Sequence, residues 1–285
     1  MSLFLKEKEV IHLQAELVSV ICTVKNGERT ISETIESVLA QNYTNWEFVI
    51  VDDGSTDTTI NILNRYSHLD KRIKVIQTGG IGRGSALNKA VENATGNYIC
   101  NIDADDLMHP QKIQIHYEYM NQNKEYFLIT TGSELIYEDA KPDWKIYDND
   151  FSLVKEIGDS LFVDNQIGHS SVMMKREILI EIGCYDEGRK SQFDYELWLR
   201  AFCENLKLGK VDEKLTAKRI HKNQSYENKK RLTYLYRNTS LKINYILKYN
   251  KKKYRIFYAI ILFILGLLPF KIRMVVRNIQ KNIKS

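Results

Sequence analysis

The chain has 285 residues, 44% hydrophobic and 27% charged with three prolines, which excludes disordered and collagen-like chains and allows a sizeable core. Its four cysteines, Cys22, Cys100, Cys184 and Cys203, are far apart with no Cys-x-x-Cys pair, which argues against a zinc site or disulfide framework and favours reduced thiols. The net charge of +5 hides two halves: residues 218–285 carry 18 Lys and Arg against one acid, Glu227, a charge of +17, leaving −12 for residues 1–217.

The acidic body suits a metal-dependent site, and the basic tail suits an anionic membrane surface or nucleic acid. Residues 1–17 lack the continuous apolar core of a secretory signal, so the chain is expected to stay inside the cell. A compact β-rich run over 17–23 opens the body. Thr30 and Glu33 then form a capping box for a helix in which Ile31, Ile35, Val38 and Leu39 recur at helical spacing. The second strand, 46–51, ends in Asp52-Asp53-Gly54-Ser55-Thr56-Asp57, whose residues turn the chain and can cap the helix carrying Ile60 and Leu63. A third strand, 73–76, runs through Gly79-Gly80-Ile81-Gly82-Arg83-Gly84 into a helix with Ala86, Leu87, Ala90 and Val91.

The fourth strand starts at Tyr98 and ends in Asp103-Ala104-Asp105-Asp106, three carboxylates within four residues. Such neighbours repel unless something positive sits between them, and a divalent cation is the economical answer; alone, the pattern reads as a solvated acidic turn. Four βα units predict an open, mostly parallel sheet with helices on both faces. Ligands of such sheets gather beyond the carboxyl ends of the strands, where glycines, carboxylates and Arg83 converge, so a nucleotide site is expected. The glycine run follows the third strand rather than the first, against a dinucleotide fingerprint, and no Walker loop exists.

Beyond Pro110, strands are expected over 127–131, 135–137 and 167–174, in a half that shapes the pocket of a second substrate. Asp194 opens a helix carrying Tyr195, Trp198 and Leu199, where a lone carboxylate reads first as a cap. His221 lies between Arg219 and Lys222, where a diphosphate could be held. Residues 256–270 carry no charge and are flanked by Lys251, Lys252, Lys253, Arg255, Lys271 and Arg273. A straight bilayer span needs ~20 apolar residues, so shallow insertion is expected, with an amphipathic helix following Pro269; the alternative is an ordinary helix buried on the body. The expected division is a domain over 1–225 and a basic helical region over 226–285.

In order, Val18-Ser19-Val20-Ile21-Cys22-Thr23 with Asn26-Gly27, Val51-Asp52-Asp53-Gly54-Ser55-Thr56-Asp57, Arg83-Gly84-Ser85-Ala86-Leu87-Asn88-Lys89-Ala90, Gly96-Asn97-Tyr98-Ile99 leading into the acidic run, and Asp194-Tyr195-Glu196-Leu197-Trp198-Leu199-Arg200 match a known pattern. Over residues 17–225 the chain resembles glycosyltransferase family 2. The resemblance implies a GT-A fold and inverting transfer of one sugar from a nucleotide-sugar, a UDP-sugar, to a glycan or lipid-linked glycan hydroxyl in bacterial surface polysaccharide synthesis. It implies Mn2+ or Mg2+; the apolar run inside the basic tail speaks for membrane over nucleic acid, so no nucleic-acid partner and a peripheral or monotopic place on the cytoplasmic side of the cell membrane are expected. Carried over, Thr23 and Glu28 border the nucleoside, Asp53 contacts uracil or ribose, and Arg83 meets the base or diphosphate. Asp103 and Asp105 match the metal-binding Asp-x-Asp with Asp106 assisting, Asp194 matches the general base, and His221 matches a histidine near the metal or diphosphate.

Two departures stand out. Phe193 replaces the usual acid before Asp194, and Thr23-Val24-Lys25-Asn26 replaces Pro-x-Tyr-Asn. The Gln-x-x-Arg-Trp of processive synthases is absent, so one sugar per encounter is expected. A sugar nucleotidyltransferase would need a glycine-rich, arginine-containing loop after the first strand, which residues 23–28 are not. A non-catalytic binding module is the other alternative, disfavoured by the joint presence of Asp53, Asp105 and Asp194.

Overall fold

Strand and helix alternate from the start of the chain: β1 (Val18–Val24), α1 (Ile31–Leu39), β2 (Trp46–Asp52), α2 (Thr59–Leu69), β3 (Ile73–Gln77), α3 (Arg83–Asn93) and β4 (Tyr98–Asn101). The computed structural model describes residues 16–138, 140–148, 152–220, 231–249 and 251–268. Period-two alternation sends β1 and β2 side chains to two cores. Val18, Val20, Cys22, Phe48 and Ile50 pack with α1, α2 and the later helix α4 (Lys112–Gln122). Ile21, Val49 and Val51 pack with Ala86, Leu87, Ala90 and Val91 of α3. Burial on both faces explains why these strands read as continuous apolar runs, each large side chain contributing ~1.5–3 kcal/mol relative to exposure.

The remaining elements are β5 (Leu107–Met108), β6 (Tyr126–Tyr137), β7 (Lys155–Glu156), β8 (Val172–Lys175), α5 (Arg176–Glu181), α6 (Phe193–Cys203), β9 (Lys207–Ile220), α7 (Arg231–Lys248) and α8 (Tyr254–Leu267). Among the described residues they form one nine-stranded sheet, ordered β3-β2-β1-β4-β8-β6-β9-β5 with β7 on β9. The first four strands in that order are parallel; β8 is antiparallel to β4 and β6, and β6 and β9 are parallel. The α/β expectation with helices on both faces holds, and the second half makes the sheet mixed.

Three local expectations are corrected. The capping box does not form: no side-chain cap bond is made at α1, because Thr30 Oγ1 donates to the Ala104 carbonyl at 2.9 Å and Glu33 pairs with Arg219 at 2.6 Å. The strands expected over 127–131 and 135–137 are one element, β6, whose register against β9 shifts at irregularities near Thr130 and Gly132. The single strand expected over 167–174 is broken by a 3-10 turn, His169–Ser171, before β8.

In the C-terminal region, Leu241, Tyr245 and Ile246 of α7 join the core beside α6, and Lys242 Nζ donates to the Val163 carbonyl at 2.9 Å. Helix α8 packs on α7 where Gly266 meets Leu235; a Cβ at Gly266 would lie 2.6 Å from Leu235 Cδ2, so glycine permits this approach. Only Arg255 and Ala259 of α8 are buried, while Tyr254, Phe257, Tyr258, Ile260, Ile264 and Leu267 are exposed. The reading of this segment as an ordinary buried helix is therefore corrected. No helix among the described residues is long and apolar enough to cross a membrane. Pro269, Phe270 and the expected amphipathic helix beyond them lie outside the described residues.

Candidate functional site

The strand ends bring the predicted residues to one rim, and the loops there are stitched to one another. Asn26, at φ 54°, accepts the Thr56 N–H on Oδ1 at 2.8 Å, and its own N–H donates to Ser55 Oγ at 2.8 Å. Glu28 Oε2 accepts from the Thr58 hydroxyl at 2.7 Å and from its N–H at 3.1 Å, so a carboxylate from the first loop satisfies a donor at the start of α2. Thr23 is half-buried on β1, paired in register with Val51. Asp53 is buried and turned toward the glycine run. Its Oδ1 accepts from Thr78 Oγ1 and the Ile81 N–H, each at 2.7 Å, and its Oδ2 from the Gly82 N–H at 3.0 Å. Gly82 has φ 95° and ψ 151°, a conformation essentially closed to other residues, so the run wraps an internal carboxylate before α3 begins.

Arg83, the first residue of α3, donates from Nη2 to Asp103 Oδ1 at 2.5 Å. The same oxygen accepts from His169 Nδ1 at 3.0 Å, and the Asp103 N–H donates to Ser170 Oγ at 3.1 Å. A carboxylate only accepts, so this contact puts the imidazole proton on Nδ1 and leaves Nε2 to accept from Asn101 Nδ2 at 2.8 Å and the Tyr185 hydroxyl at 3.1 Å. Tyr185 is held by Asn88, whose Oδ1 accepts the Tyr185 N–H at 2.9 Å and whose Nδ2 donates to its carbonyl at 2.9 Å. Gly84, four residues before Asn88 on α3, lets the 186–187 segment approach: a Cβ there would lie 3.2 Å from the Asp186 carbonyl and 3.3 Å from Phe193 Cδ1. The Arg83-Gly84 and Asn88 positions thus have separate physical reasons.

Burial opposes the Asp103 charge, but Arg83 and His169 outweigh it and hold this carboxyl well below the ordinary range. Asp106, buried behind it, is pushed up to about 7 by burial, with the charges of Asp103 and Asp105 adding. Below the strand end, the fully buried Lys112 ammonium donates to the Asn101 carbonyl at 3.2 Å and to the Ser170 carbonyl, tying the acidic strand to the His169 turn. The sequence places Arg219 as one of two cations beside a diphosphate. The structure turns it inward instead: its N–H meets Asp106 Oδ1 at 3.1 Å and its Nε the Asp105 carbonyl at 3.2 Å. His221 itself lies outside the described residues.

One pH effect follows from this layer. His116, wholly buried on α4, is pushed down to about 3, by burial first and the Lys112 charge second. An unfolded histidine titrates near ~6.5, so the unfolded chain binds the extra proton first and stability is lost as pH falls from about 6.5 toward about 3. Asp106 acts oppositely, because its raised value makes the fold lose stability as pH rises toward about 7. Comparison with His116→Leu isolates the histidine: between pH 7 and pH 5 the variant should lose about 1–2 kcal/mol less than the parent in denaturant unfolding. Equal losses would reject the assignment.

Asp194 is the second residue of α6, after Gln192 in a left-handed conformation, and no side-chain cap bond is made at this helix. The cap reading is therefore not realised. Arg83, paired with Asp103, also feels the charge of Asp194. Arg200, at the other end of the motif, is structural: it pairs with Glu196 at 3.0 Å and donates to the carbonyls of Ile182 and Cys184.

Among the described residues no group of three or more His, Cys, Asp or Glu converges as a closed metal cage. Arg83 and His169 both bind Asp103 Oδ1, leaving Oδ2 with no hydrogen bond among the described residues. With Asp105 beside it, the strand end offers the one or two carboxylates by which Mg2+ or a similar ion is held when substrate phosphates and water complete its shell. The residues fit such an open site. His169, Tyr185 and Lys112 were not singled out from sequence; the polar break His169-Ser170-Ser171 within an apolar run was the available signal.

Residues 19–183 match the family described as glycosyl transferase family 2. The chain is 31% identical over 240 residues to the uncharacterized glycosyltransferase MJ1057 of Methanocaldococcus jannaschii, covering 80% of this chain and 79% of that one. It is 32% identical over 210 residues to the O-antigen biosynthesis glycosyltransferase WbnJ of Escherichia coli, covering 72% of this chain and 80% of that one. Among solved structures, S. aureus TarS in complex with UDP-GlcNAc aligns with a TM-score of 0.64 at 19% identity, over 81% of this chain and 66% of that one, a likeness of fold.

Proposed function

We propose, because the chain belongs to glycosyl transferase family 2 and is therefore a sugar-transferring enzyme, that it moves one sugar from a UDP-sugar to a hydroxyl of a bacterial surface glycan or its lipid-linked precursor, with inversion. The observation that carries this reading is Arg83 paired with Asp103 at the strand ends and within reach of the Asp194 charge at the start of α6. Asp194 takes the proton of the acceptor hydroxyl as that oxygen bonds to the anomeric carbon, and the bond from that carbon to the diphosphate oxygen breaks on the opposite face. Arg83 stabilises the charge that grows on the leaving diphosphate, more in the transition state than before it. Asp103 and Asp105 would hold Mg2+ or Mn2+, which supplies further positive charge to the same group. His169 keeps Asp103 oriented. Thr23, Glu28 and Asp53 border the nucleoside, with Asp53 acting through the glycine run it organises.

Support comes from the O-antigen role in the name of WbnJ and from the UDP-GlcNAc in the complex of the structurally similar TarS. A thermal-shift panel of nucleotide-sugars with Mn2+ tests the donor. A ligand at 100 times its Kd stabilises by ~2.7 kcal/mol, so UDP-sugars should raise Tm by several degrees and GDP- or CDP-sugars by much less. The reverse order would overturn the UDP assignment, and a product of retained configuration would overturn the single displacement.

The C-terminal hairpin supports a place on an anionic membrane. At 1.5 Å per residue, the 14 residues of α8 extend ~21 Å against a hydrocarbon core of ~30 Å, so α8 lies in the surface. Tyr254, Phe257, Tyr258, Ile260, Ile264 and Leu267 are exposed on it, and Lys251, Lys252 and Lys253 precede it. Full-length protein should sediment with vesicles containing phosphatidylglycerol, less so in high salt, and Phe257→Asp with Ile264→Asp should abolish this while leaving the body folded. Sedimentation unaffected by both changes would reject this surface.

A further inference from the structure

An open cavity of about 440 Å3 is lined by Asp186, Gly188, Arg189, Lys190, Ser191 and Arg237, in the segment that leads into the helix of Asp194. Two guanidiniums from different elements meet at Ser191, Arg237 Nη1 donating to its hydroxyl at 3.1 Å and Arg189 Nε to its carbonyl at 3.4 Å. Each guanidinium carries five donors, so one bond leaves most of its capacity unused. Among the described residues no salt bridge joins Arg189, Lys190 or Arg237 to a carboxylate. Asp186, the one carboxylate of the lining, is exposed, and its Oδ1 accepts the Gly188 N–H at 3.0 Å. Three cations against the single carboxylate of Asp186 leave the lining net positive, an anion site by charge, and two arginines suit the planar or tetrahedral oxygens of a carboxylate or phosphate.

Position assigns the anion to the acceptor. Ser191 is three residues before Asp194, and Gln192 between them has φ 59° with both amide atoms buried and without a hydrogen-bond partner. An unpaired buried amide and a left-handed non-glycine residue are costly features that cluster where ligands bind. Arg237 belongs to α7, which packs on both α6, the helix of Asp194, and α8, so the lining joins the segment leading to the base with the element that carries the apolar hairpin.

The geometry points to an acceptor subsite in which Arg189, Lys190 and Arg237 bind an oxyanion, a phosphate or a carboxylate, carried by the acceptor near the hydroxyl that Asp194 deprotonates. This rests on the glycosyl-transfer reading of Asp194. The anion would belong either to a phosphate linking the acceptor sugar to its carrier or to an acidic sugar.

The test titrates glucose 1-phosphate, glucuronate and uncharged glucose into the full-length protein, with and without saturating UDP and Mg2+, and measures UDP affinity in the same series. Either charged probe should bind at least about tenfold tighter than glucose, and Arg237→Gln and Arg189→Gln should each weaken that binding about tenfold with UDP affinity retained. A preference for glucose 1-phosphate identifies a phosphate source and a preference for glucuronate an acidic sugar. Equal binding of all three probes, or charged-probe affinity untouched by both substitutions, overturns the subsite. Failure of the parent protein to bind UDP would instead overturn the donor reading, and the comparison of charged with uncharged probes would still decide the cavity.

Discussion

Asp194→Asn is expected to lower kcat by ~10²–10⁴-fold, the range for losing a general base, while UDP affinity changes little. The asparagine keeps the size of the side chain and removes its ability to accept the acceptor proton, together with the negative charge that Arg83 feels. No cap bond is lost, since none is made at this helix, so the melting temperature should stay close to the parent value. Single-turnover kinetics beside UDP titration separates the two effects. A parallel loss of UDP affinity and of stability would mark Asp194 as structural, and unchanged turnover would remove it from the reaction.

Asp105→Asn should reduce transfer by at least ~10–100-fold, because that range is typical of losing partners one shell outside a metal, and a direct ligand matters no less. The turn should survive the change. It is held through the Asp105 carbonyl and the Asp106 carboxylate by Arg219, and through the Asp106 N–H by the Asp103 carbonyl at 3.1 Å, contacts that do not use the Asp105 carboxylate. Chelation of the parent protein should produce a loss of similar size, reversed by added Mn2+ or Mg2+, and the variant should need more metal for half-maximal rate. Full transfer by the variant in the presence of chelator would exclude the metal role of this strand end.

Arg83 links the two expectations, since it pairs with Asp103 and lies within electrostatic reach of Asp194. Its own charge is reinforced by Asp103 first and by Asp194 as well, against partial desolvation of a side chain that stays half exposed. A departing diphosphate would therefore meet a cation already oriented before substrate arrives, which is how fixed charges stabilise a transition state without reorganising.

The amino-acid sequence by itself determined the parallel half of the sheet, because apolar runs of strand length alternate with helical periodicity from Val18 to Asn101 and each pattern is a local property. It also determined that the acids of 52–57 and 103–106 share one rim with Arg83, since strands of one parallel set end on the same side. Local chemistry failed where a side chain had two partners to choose from. Thr30 looked like a cap, yet its hydroxyl found the Ala104 carbonyl, 74 residues away. His169 looked like part of a strand, yet it orients Asp103 from 66 residues away and meets a Tyr185 hydroxyl that Asn101 also reaches. Arg219 looked like a phosphate ligand, yet buried acceptors around Asp105 and Asp106 claimed it. Only the tertiary structure decided these roles, because a buried polar group must be paired and its partner is whatever the packed fold brings within hydrogen-bond distance, which spacing along the chain does not encode.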